Sequence, residues 1–336
     1  SHAAATVSAS DRPPPPYQCV GCFTGRRFLT TGCFTGGGFS QHRGGQDDQG
    51  RGKGNGTVNS LELRLAEAQY GNGTSSPSGS DRPSAREISN AIADQDSSTA
   101  KNNRFLSDLV WGWGQFIDHD IVDTAKGTER FDIALPKKDE LKSRFPNAKA
   151  FEFKRSKGVN DSSGVRQQQN LTTAFIDASA VYGSNQKDAD ALRDPNGGGK
   201  LKLSDGLMPI INGQRGPSFQ AGDARAAENP LLASLHTVWV REHNRLADEI
   251  SAADSSLNDE QIYQKARTTV MALIQNITYN EFLPALLGDN QLKDYQGYNA
   301  NTDAGISTEF ATAAYRFGHS MLSNSISRMD ADGDSL

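Results

Sequence analysis

The most constraining feature of the sequence is the helical spacing of its apolar residues. Four segments, 103–122, 231–250, 258–277 and 308–322, carry apolar side chains at intervals of three or four residues, which places them on one face of an α-helix. Segments that alternate apolar and polar residues as strands do are scarce. The sequence therefore predicts a mainly α fold with long loops between the helices. The apolar positions are Leu106, Leu109, Trp113 and Ile117; Leu231, Leu235, Val238, Trp239, Leu246 and Ile250; Ile262, Ala266, Val270, Leu273 and Ile277; and Phe310, Ala314, Phe317 and Met321.

Local signals predict where some elements begin and end. Asn258 is a good N-cap residue, and Gln261 follows at the third helical position. Pro284 and Gly288 close the helix that this cap begins. Residues 71–84 are rich in Gly, Ser and Pro and predict a loop.

The N-terminal stretch differs in composition from the remainder of the chain. A run of four prolines, Pro13–Pro16, precedes a glycine-rich segment at 21–56. We expect residues 1–57 to form a flexible, low-complexity leader and residues 58–336 to form one domain.

The cysteines all lie in this leader, at Cys19, Cys22 and Cys33. An odd number cannot form a closed set of disulfides. Together with His42 they could bind a metal ion, which is the alternative to a leader without chemistry.

Composition excludes several classes of function. The net charge is −5, from 35 basic and 40 acidic residues, which argues against binding to a nucleic-acid backbone. The longest apolar run, Val270–Ile274, has five residues, whereas a membrane-spanning helix needs about 20. Residues at the start of this chain lack a charged segment followed by an apolar one, so we expect no signal peptide within it. Triplets of the form Asn-x-Ser/Thr permit glycosylation at Asn55, Asn72, Asn160, Asn170 and Asn276.

One short helical stretch brings several chemically active side chains together. At 100° per residue, Gln115, Asp118 and His119 share one helix face, while Asp120 points to the opposite side. Two tryptophans and a phenylalanine lie in the same stretch, and burial of charged groups among such residues is unfavourable without partners. We therefore expect a functional role; a buried histidine of the core is the alternative.

Two further stretches carry weaker signals. Oxygen-bearing groups recur at Thr173, Asp177 and Ser179, with the carbonyl of Phe175 between them, and such hard ligands suit Ca²⁺. Ordinary loop turns are the alternative. Arg225 and Glu228 lie three residues apart, a spacing that also fits a surface ion pair. His319 lies on an apolar helix face, where a single histidine is more often a core residue than a ligand.

Taken in order, these stretches resemble the animal-type haem peroxidase family. The similarity runs from about Pro83 to the C-terminus. It is carried by WGQFIDHD at 113–120, LTTAFIDASAVYGS at 171–184, AGDARAAENP at 221–230, LHTVWVREHNRLADEI at 235–250 and YRFGH at 315–319. The resemblance implies a helical domain with haem held between a distal and a proximal helix.

The resemblance implies a role for each matching residue. His119 is the distal acid–base histidine, and Arg225 is the distal arginine that stabilises negative charge on the leaving oxygen. Gln115 is the distal glutamine. His319 is the proximal iron ligand, with Arg316 in the same haem-binding segment.

The cofactor that the resemblance implies is haem b, joined by ester bonds to Asp118 and Glu228. The chloride-oxidising relative has methionine where this chain has Asn229, so we expect no sulfonium link and easier donors: bromide, iodide, thiocyanate or phenols. The second cofactor is a calcium ion held by Asp120, Thr173, Phe175, Asp177 and Ser179, which would brace the distal helix.

The resulting hypothesis is a secreted haem peroxidase that uses hydrogen peroxide, through a ferryl intermediate, to oxidise a small electron donor. The family's domain continues with an asparagine that hydrogen-bonds the proximal histidine, so we expect an incomplete domain in this chain, which ends at Leu336. Two alternatives remain. One is a non-catalytic adhesion module or inactive fragment, although the chain contains no Arg-Gly-Asp tripeptide. The other is a metal-dependent phosphohydrolase built on His119, Asp120, His236 and His243.

Overall fold

The computed structural model describes residues 56–94, 102–213, 216–297, 299, 301–323, 326, 328–330, 332 and 334. Contacts along the chain separate two units, Ser1–Ser40 with Gln296–Ala300 and Gln41–Tyr295 with Asn301–Leu336. Every element named below belongs to the second unit. The cysteine cluster Cys19, Cys22 and Cys33, with His42 and the triplet at Asn55, lies outside the described residues.

The described elements are mostly helical. The helices are α1 (Ala85–Ile92), α2 (Leu109–Ile121), α3 (Leu141–Arg144), α4 (Ser179–Tyr182), α5 (Gln186–Leu192), α6 (Pro230–Ala253), α7 (Asp259–Ile277), α8 (Leu283–Leu287) and α9 (Thr308–Thr312). A π-helical turn, Thr278–Phe282, joins α7 to α8, and a 3-10 helix, Ala314–Met321, follows α9. Helix accounts for 39% of the described residues and strand for 13%. The predicted mainly α fold is therefore confirmed.

The strands form short antiparallel pairs. They are β1 (Lys126–Arg130), β2 (Ile133–Ala134), β3 (Ala150–Phe151), β4 (Lys154–Ser156), β5 (Val159–Asn160), β6 (Arg166–Gln167), β7 (Ile210–Gly213) and β8 (Gly216–Phe219). β1 pairs with β4, β2 with β3, β5 with β6 and β7 with β8. In the register of β2 and β3, Ile133 lies opposite Phe151. These pairs belong to the long connections between helices, which the sequence predicted as loops.

Each of the two longest helices begins at an asparagine N-cap. Asn229 accepts a hydrogen bond from the backbone N–H of Leu232, and Pro230 occupies the first turn of α6. At the start of α7, Asn258 and Gln261 form the predicted capping box. Because the linker between α6 and α7 is short, the two helices pack against each other.

The core lies where α2, α4, α6 and α7 meet. Trp113 and Phe116 of α2 contact Trp239 of α6, with ring centroids 6.0 and 6.5 Å from it. Gly112 permits this approach, since a Cβ atom there would lie 2.5 Å from the Leu231 side chain. The result is a fixed position for α2, which carries the predicted distal residues.

The first predicted helix, 103–122, is wrong at its N-terminal end. The side chain of Asn102 bonds both the backbone N–H and the carbonyl of Leu106 over 2.7 Å. Phe105 adopts a left-handed conformation with φ of 55°, which interrupts a helix. The helix therefore begins at Leu109, and Leu106 lies outside it.

The predicted helix at 308–322 is also wrong as a single element. Ala313 has φ of −129° and ψ of −66° and separates α9 from the 3-10 helix. Nε of Arg316 donates to the carbonyl of Ala311 over 2.7 Å. This side chain occupies an acceptor that a continuous α-helix would use for Tyr315.

Candidate active site

His119 lies in the last turn of α2, and its side chain is only 4% exposed. Its Nε2 is 3.7 Å from Oε2 of Glu228, and its Nδ1 is 3.9 Å from Oδ1 of Asp223. Burial, reinforced by the positive charge of Arg225, lowers the pKa of His119 to about 3. The imidazole is therefore neutral near pH 7 and can accept a proton.

Arg225 is held beside the C-terminal end of α2. Its Nη2 donates to the carbonyls of Val122 and His119, over 2.9 and 3.3 Å. The same nitrogen donates to Oδ2 of Asp223 over 2.6 Å, and Nε donates to Oδ1 over 2.9 Å. Burial works to lower the pKa of Arg225, but the bonds to Asp223 outweigh it and raise that pKa. The guanidinium is thus a fixed cation on backbone carbonyls that carry the negative end of a helix dipole.

Glu228 does not pair with Arg225, contrary to the surface-ion-pair alternative. It instead accepts a hydrogen bond from Nε2 of Gln115 over 3.1 Å. Oε1 of Gln115 accepts in turn from Nδ2 of Asn229 over 2.7 Å. Gln115, Glu228 and Asn229 therefore form one chain of hydrogen bonds, in which Glu228 lies beside Nε2 of His119. The carboxylate of Glu228 remains half-exposed, at 49%.

Asp118 is buried on α2, at 6% exposed. Its Oδ2 accepts from Nη1 of Arg316 over 3.1 Å. Its Oδ1 is buried without a hydrogen-bond partner. Burial raises the pKa of Asp118, although the positive charges of Arg316 and Arg225 oppose that shift.

The five predicted calcium ligands lie close together at the C-terminal turn of α2, which itself supplies Asp120. Oγ1 of Thr173 donates to Oδ2 of Asp177 over 2.8 Å and approaches the carbonyl of Phe175 at 3.4 Å. Oγ of Ser179 lies 3.3 Å from Oδ1 of Asp120 and 2.9 Å from the carbonyl of that residue. Burial, with the neighbouring Asp177 carboxylate, raises the pKa of Asp120 to about 8. A bound cation would offset this unfavourable burial of two carboxyl groups.

The remaining predicted residue, His319, is exposed in the 3-10 helix. The described structure gives it no contact with His119. Beside it, a Cβ atom added to Gly318 would meet no atom within 4 Å. The connection to α2 runs through Arg316 of the same helix and Asp118.

The other two histidines of the phosphohydrolase alternative occupy separate environments. Nε2 of His243 lies 2.8 Å from the carbonyl of Gly199, which can only accept, so the neutral ring carries its proton on Nε2. Nδ1 then accepts from the Tyr182 hydroxyl over 2.9 Å. Both nitrogens are therefore in use. His236 is buried edge-on against Phe116, at 5.2 Å between centroids.

The sequence analysis missed Asp223 as a site residue. It lies in the AGDARAAENP stretch, two residues before Arg225, and that spacing was the only available signal. Gly222 brings it into place, since a Cβ atom there would lie 2.5 Å from the backbone N of Gly183 and 2.6 Å from the carbonyl of Ser179. Such proximity between distant segments cannot be deduced from composition or periodicity.

The residues present fit a haem group. Two buried polar atoms, Oδ1 of Asp118 and Nδ1 of His119, have no partner, and the carboxylate of Glu228 and the imidazole of His319 are accessible. Imidazole is a common iron ligand, and carboxylates are the groups that an ester link would use. A neutral imidazole beside a fixed guanidinium combines a proton acceptor with a fixed positive charge.

Comparison with known proteins identifies the family. The model for animal haem peroxidase matches residues 45–335, and the chain belongs to that family, as predicted. Lactoperoxidase from Mesocricetus auratus is 35% identical over 332 residues, covering 82% of this chain and 46% of that protein. A peroxidasin homolog, pxn-1 from Caenorhabditis elegans, is 32% identical over 331 residues, covering 80% of this chain and 26% of that protein. The chain thus spans less than half the length of these relatives.

Solved structures give the same fold. Peroxidase A from Dictyostelium discoideum superposes with a TM-score of 0.73 and 28% identity, over 88% of this chain and 63% of that one. A fatty acid alpha-dioxygenase from Arabidopsis thaliana matches less well, with a TM-score of 0.55 and 26% identity, over 69% of this chain and 35% of that one. In the described part of the chain, no helix is long and apolar enough to cross a membrane.

Proposed function

We propose that this chain is the peroxide-reacting part of a haem-dependent peroxidase that oxidises a small electron donor. The observation that carries the proposal is the meeting of His119 and Arg225, 106 residues apart in sequence, through the hydrogen bond from Nη2 of Arg225 to the His119 carbonyl. A general base and a fixed cation in one site are what heterolysis of a peroxide bond requires. Membership of the animal haem peroxidase family supports the same reaction.

Each polar group has a defined task in this proposal. His119 accepts a proton from one oxygen of hydrogen peroxide and returns it to the other oxygen, which leaves as water. Arg225 stabilises the negative charge that develops on the leaving oxygen. Gln115, held by Glu228 and Asn229, offers its amide to the small molecules that enter.

Several residues would hold the cofactor. His319 would ligate the iron, Arg316 would assist from the same helix, and Asp118 and Glu228 would form the ester bonds. When bound, haem supplies the iron centre at which peroxide is reduced to water while a donor is oxidised. Because Asn229 cannot form a sulfonium link, we expect bromide, iodide, thiocyanate or phenols as donors rather than chloride.

Calcium would bind at the C-terminal turn of α2. Asp120, Thr173, Phe175, Asp177 and Ser179 supply carboxylate, hydroxyl and carbonyl oxygens, which are ligands that Ca²⁺ prefers. The ion would stabilise the helix that carries His119. Family resemblance also leads us to propose that the protein is secreted and glycosylated.

The decisive test compares site variants of the haem-loaded protein. His119→Ala and Arg225→Ala should each slow the reaction with hydrogen peroxide by about 100- to 10,000-fold, the range for loss of an acid–base or charge-stabilising group. Arg245→Ala, which removes an exposed arginine of α6, is the matched control and should react at the wild-type rate. Unchanged rates in either site variant would refute the assigned roles.

A second measurement tests the ester bonds. Acidified-butanone extraction should leave haem on the wild-type protein, because an ester survives conditions that release a haem held by ligation alone. The Asp118→Asn/Glu228→Gln double variant should release it. Complete release from the wild type would contradict covalent attachment but would leave the peroxide chemistry intact.

A further inference from the structure

Asp223 has no task in the chemistry proposed above, yet it makes the closest contacts to Arg225. Its carboxylate receives Nη2 over 2.6 Å and Nε over 2.9 Å. The backbone N–H of Arg225 donates to the same carboxylate over 2.7 Å. Two parallel bonds to one edge of a guanidinium fix both its position and its plane.

The backbone of Asp223 is itself held by α4. The N–H of Asp223 donates to the carbonyl of Ala180 over 3.0 Å. The N–H of Ala180 donates in turn to Oδ1 of Asp120 over 2.9 Å. Gly222 allows this contact, because any side chain there would collide with the backbone of α4. Asp223 is therefore part of a rigid support and is not a mobile surface group.

The pairing also determines which part of Arg225 remains available. Nε and Nη2 are occupied by Asp223 and by the carbonyls at the end of α2. Nη1 makes no hydrogen bond to the described residues. An arginine held in this way presents one free edge in one direction and needs no reorganisation when charge develops nearby.

We propose that Asp223 is the positioning residue that aims the free edge of Arg225 at peroxide bound beside His119. The inference rests on the proposed function, since the aim of the guanidinium matters only if peroxide is cleaved here. Asp223 touches neither substrate nor cofactor in this account and acts through Arg225. The alternatives are that Asp223 only joins its loop to α4, or that its charge acts directly on His119, whose Nδ1 lies 3.9 Å from Oδ1 of Asp223.

The kinetic test separates a positioning role from a purely structural one, and the double-mutant cycle below separates action through Arg225 from action on His119. In the haem-loaded full chain, Asp223→Asn keeps the shape of the side chain but removes the charge and one acceptor. We expect the reaction with hydrogen peroxide to slow about 10- to 100-fold, the effect of a misplaced catalytic group. The later reaction with iodide should stay within about twofold of wild type, because Arg225 stabilises charge only in the peroxide step. Loss of folding or of haem would lower both rates together.

Asp123→Asn is the matched control. Asp123 lies close enough to Arg225 for their charges to interact, but the two side chains share no hydrogen bond. Its replacement removes the same charge without releasing the guanidinium, so both rates should stay within about twofold of wild type. If Asp123→Asn slows the peroxide step as much as Asp223→Asn, charge alone is responsible and the proposal is wrong.

A double-mutant cycle tests whether Asp223 acts through Arg225. The Asp223→Asn/Arg225→Ala variant should react with peroxide within about twofold of Arg225→Ala alone. If the two losses multiply, Asp223 contributes independently of Arg225 and the proposal fails.

A measurement without haem keeps this inference separate from the proposed function. In the full chain labelled with [15N]arginine, the Nε–H signal that Arg225→Lys removes belongs to Arg225. It should exchange slowly with solvent in the wild type, about tenfold faster or more in Asp223→Asn, and at the wild-type rate in Asp123→Asn. Equal exchange in all three proteins would overturn the proposal. If the loaded wild type does not react with peroxide, the proposed function fails, and this signal alone decides whether Asp223 fixes Arg225.

Discussion

Arg316 donates from Nη1 to Oδ2 of Asp118 over 3.1 Å, although 198 residues separate them in sequence. The bond joins the 3-10 helix that carries His319 to the helix that carries His119. The same guanidinium makes a second hydrogen bond, from Nε to the carbonyl of Ala311, which holds the Arg316 side chain against the end of α9. One ion pair therefore ties together the segments that supply the proposed proximal and distal histidines.

Loss of this ion pair should destabilise the fold. Arg316→Ala leaves the buried Asp118 carboxylate without its cation, and the pKa of Asp118 should rise further. Because Arg316 is itself 37% exposed, solvent weakens the pair, and we expect a loss of about 1–2 kcal/mol in the free energy of unfolding, measured by urea titration.

Two variants control this experiment. Asp118→Asn in the Arg316→Ala background removes the unpaired charge and should restore part of the loss. Lys187→Ala, an exposed position on α5, should leave the free energy unchanged. Wild-type stability in Arg316→Ala would show that the pair contributes nothing.

The sequence predicted the elements whose ends depend on local signals. The cap at Asn258 and the long apolar stripes fixed α7 and α6 within a few residues. The turn at 102–108 and the break at Ala313 escaped prediction because side chains, those of Asn102 and Arg316, take backbone groups that a helix would use. Helical periodicity contains no record of such competition.

The same division applies to the site. Helical geometry placed Gln115, Asp118 and His119 on one face, and all three make contacts with residues of the 223–229 loop or the 3-10 helix. Asp223 was not found, because its contacts depend on the approach of Gly222 to α4. That approach joins segments about 40 residues apart, and only the folded chain reveals it.

Stability should fall on acidification, in part because of His243. Burial lowers the pKa of His243 to about 4, below the usual value of about 6.5. Between these values the unfolded chain binds a proton that the folded chain does not, so the free energy of unfolding decreases as the pH falls. One such histidine contributes a loss of about 1.4 kcal/mol per pH unit.

The variant His243→Gln isolates this contribution. Its amide can still donate to the carbonyl of Gly199 but does not titrate, so the pH dependence between 6.5 and 4 should decrease by about one proton. Val240→Ala, in the same helix, should lower the free energy of unfolding by an amount that does not change with pH. Identical slopes for His243→Gln and wild type in urea titrations would exclude His243 as a source.

The calcium proposal predicts that Asp120→Asn changes stability in opposite directions without and with Ca²⁺. Without Ca²⁺, Asp120→Asn removes a buried carboxyl group beside Asp177, so the variant should melt at or above the wild-type temperature. With Ca²⁺ at about 100 times its Kd, the wild type should gain about 2.7 kcal/mol and the variant much less.

Thermal melts in EDTA and in excess Ca²⁺ measure both effects. Asp254→Asn, at the exposed end of α6, should respond to Ca²⁺ as the wild type does. A wild-type melting temperature that is insensitive to Ca²⁺ and EDTA would rule out the site.

The glycosylation triplets should differ in occupancy. Asn72 is exposed in a turn, and a Cβ atom added to the adjacent Gly73 would meet nothing within 4 Å. Asn170 is 2% exposed, and its amide bonds Ile121 and Asp123. A glycan fits the first site and would disrupt the second.

Expression through a eukaryotic secretory pathway, with a signal peptide added, tests this difference. Enzymatic deglycosylation should reduce the mass of the wild type, and Asn72→Gln should remove one glycan. Asn170→Gln should leave the glycan mass unchanged. A glycan found on Asn170, or none on Asn72, would contradict the prediction.

The proposed peroxidase activity is tested most directly by the absorption spectrum of the full chain with haem supplied, recorded before and after a small excess of hydrogen peroxide. We predict a strong Soret band that shifts when peroxide is added and returns when iodide is added. His319→Ala should weaken the band, and His119→Ala should retain the band but respond slowly to peroxide. A Soret band that does not respond to peroxide, or no band at all, would contradict the proposal that this chain acts as a haem peroxidase.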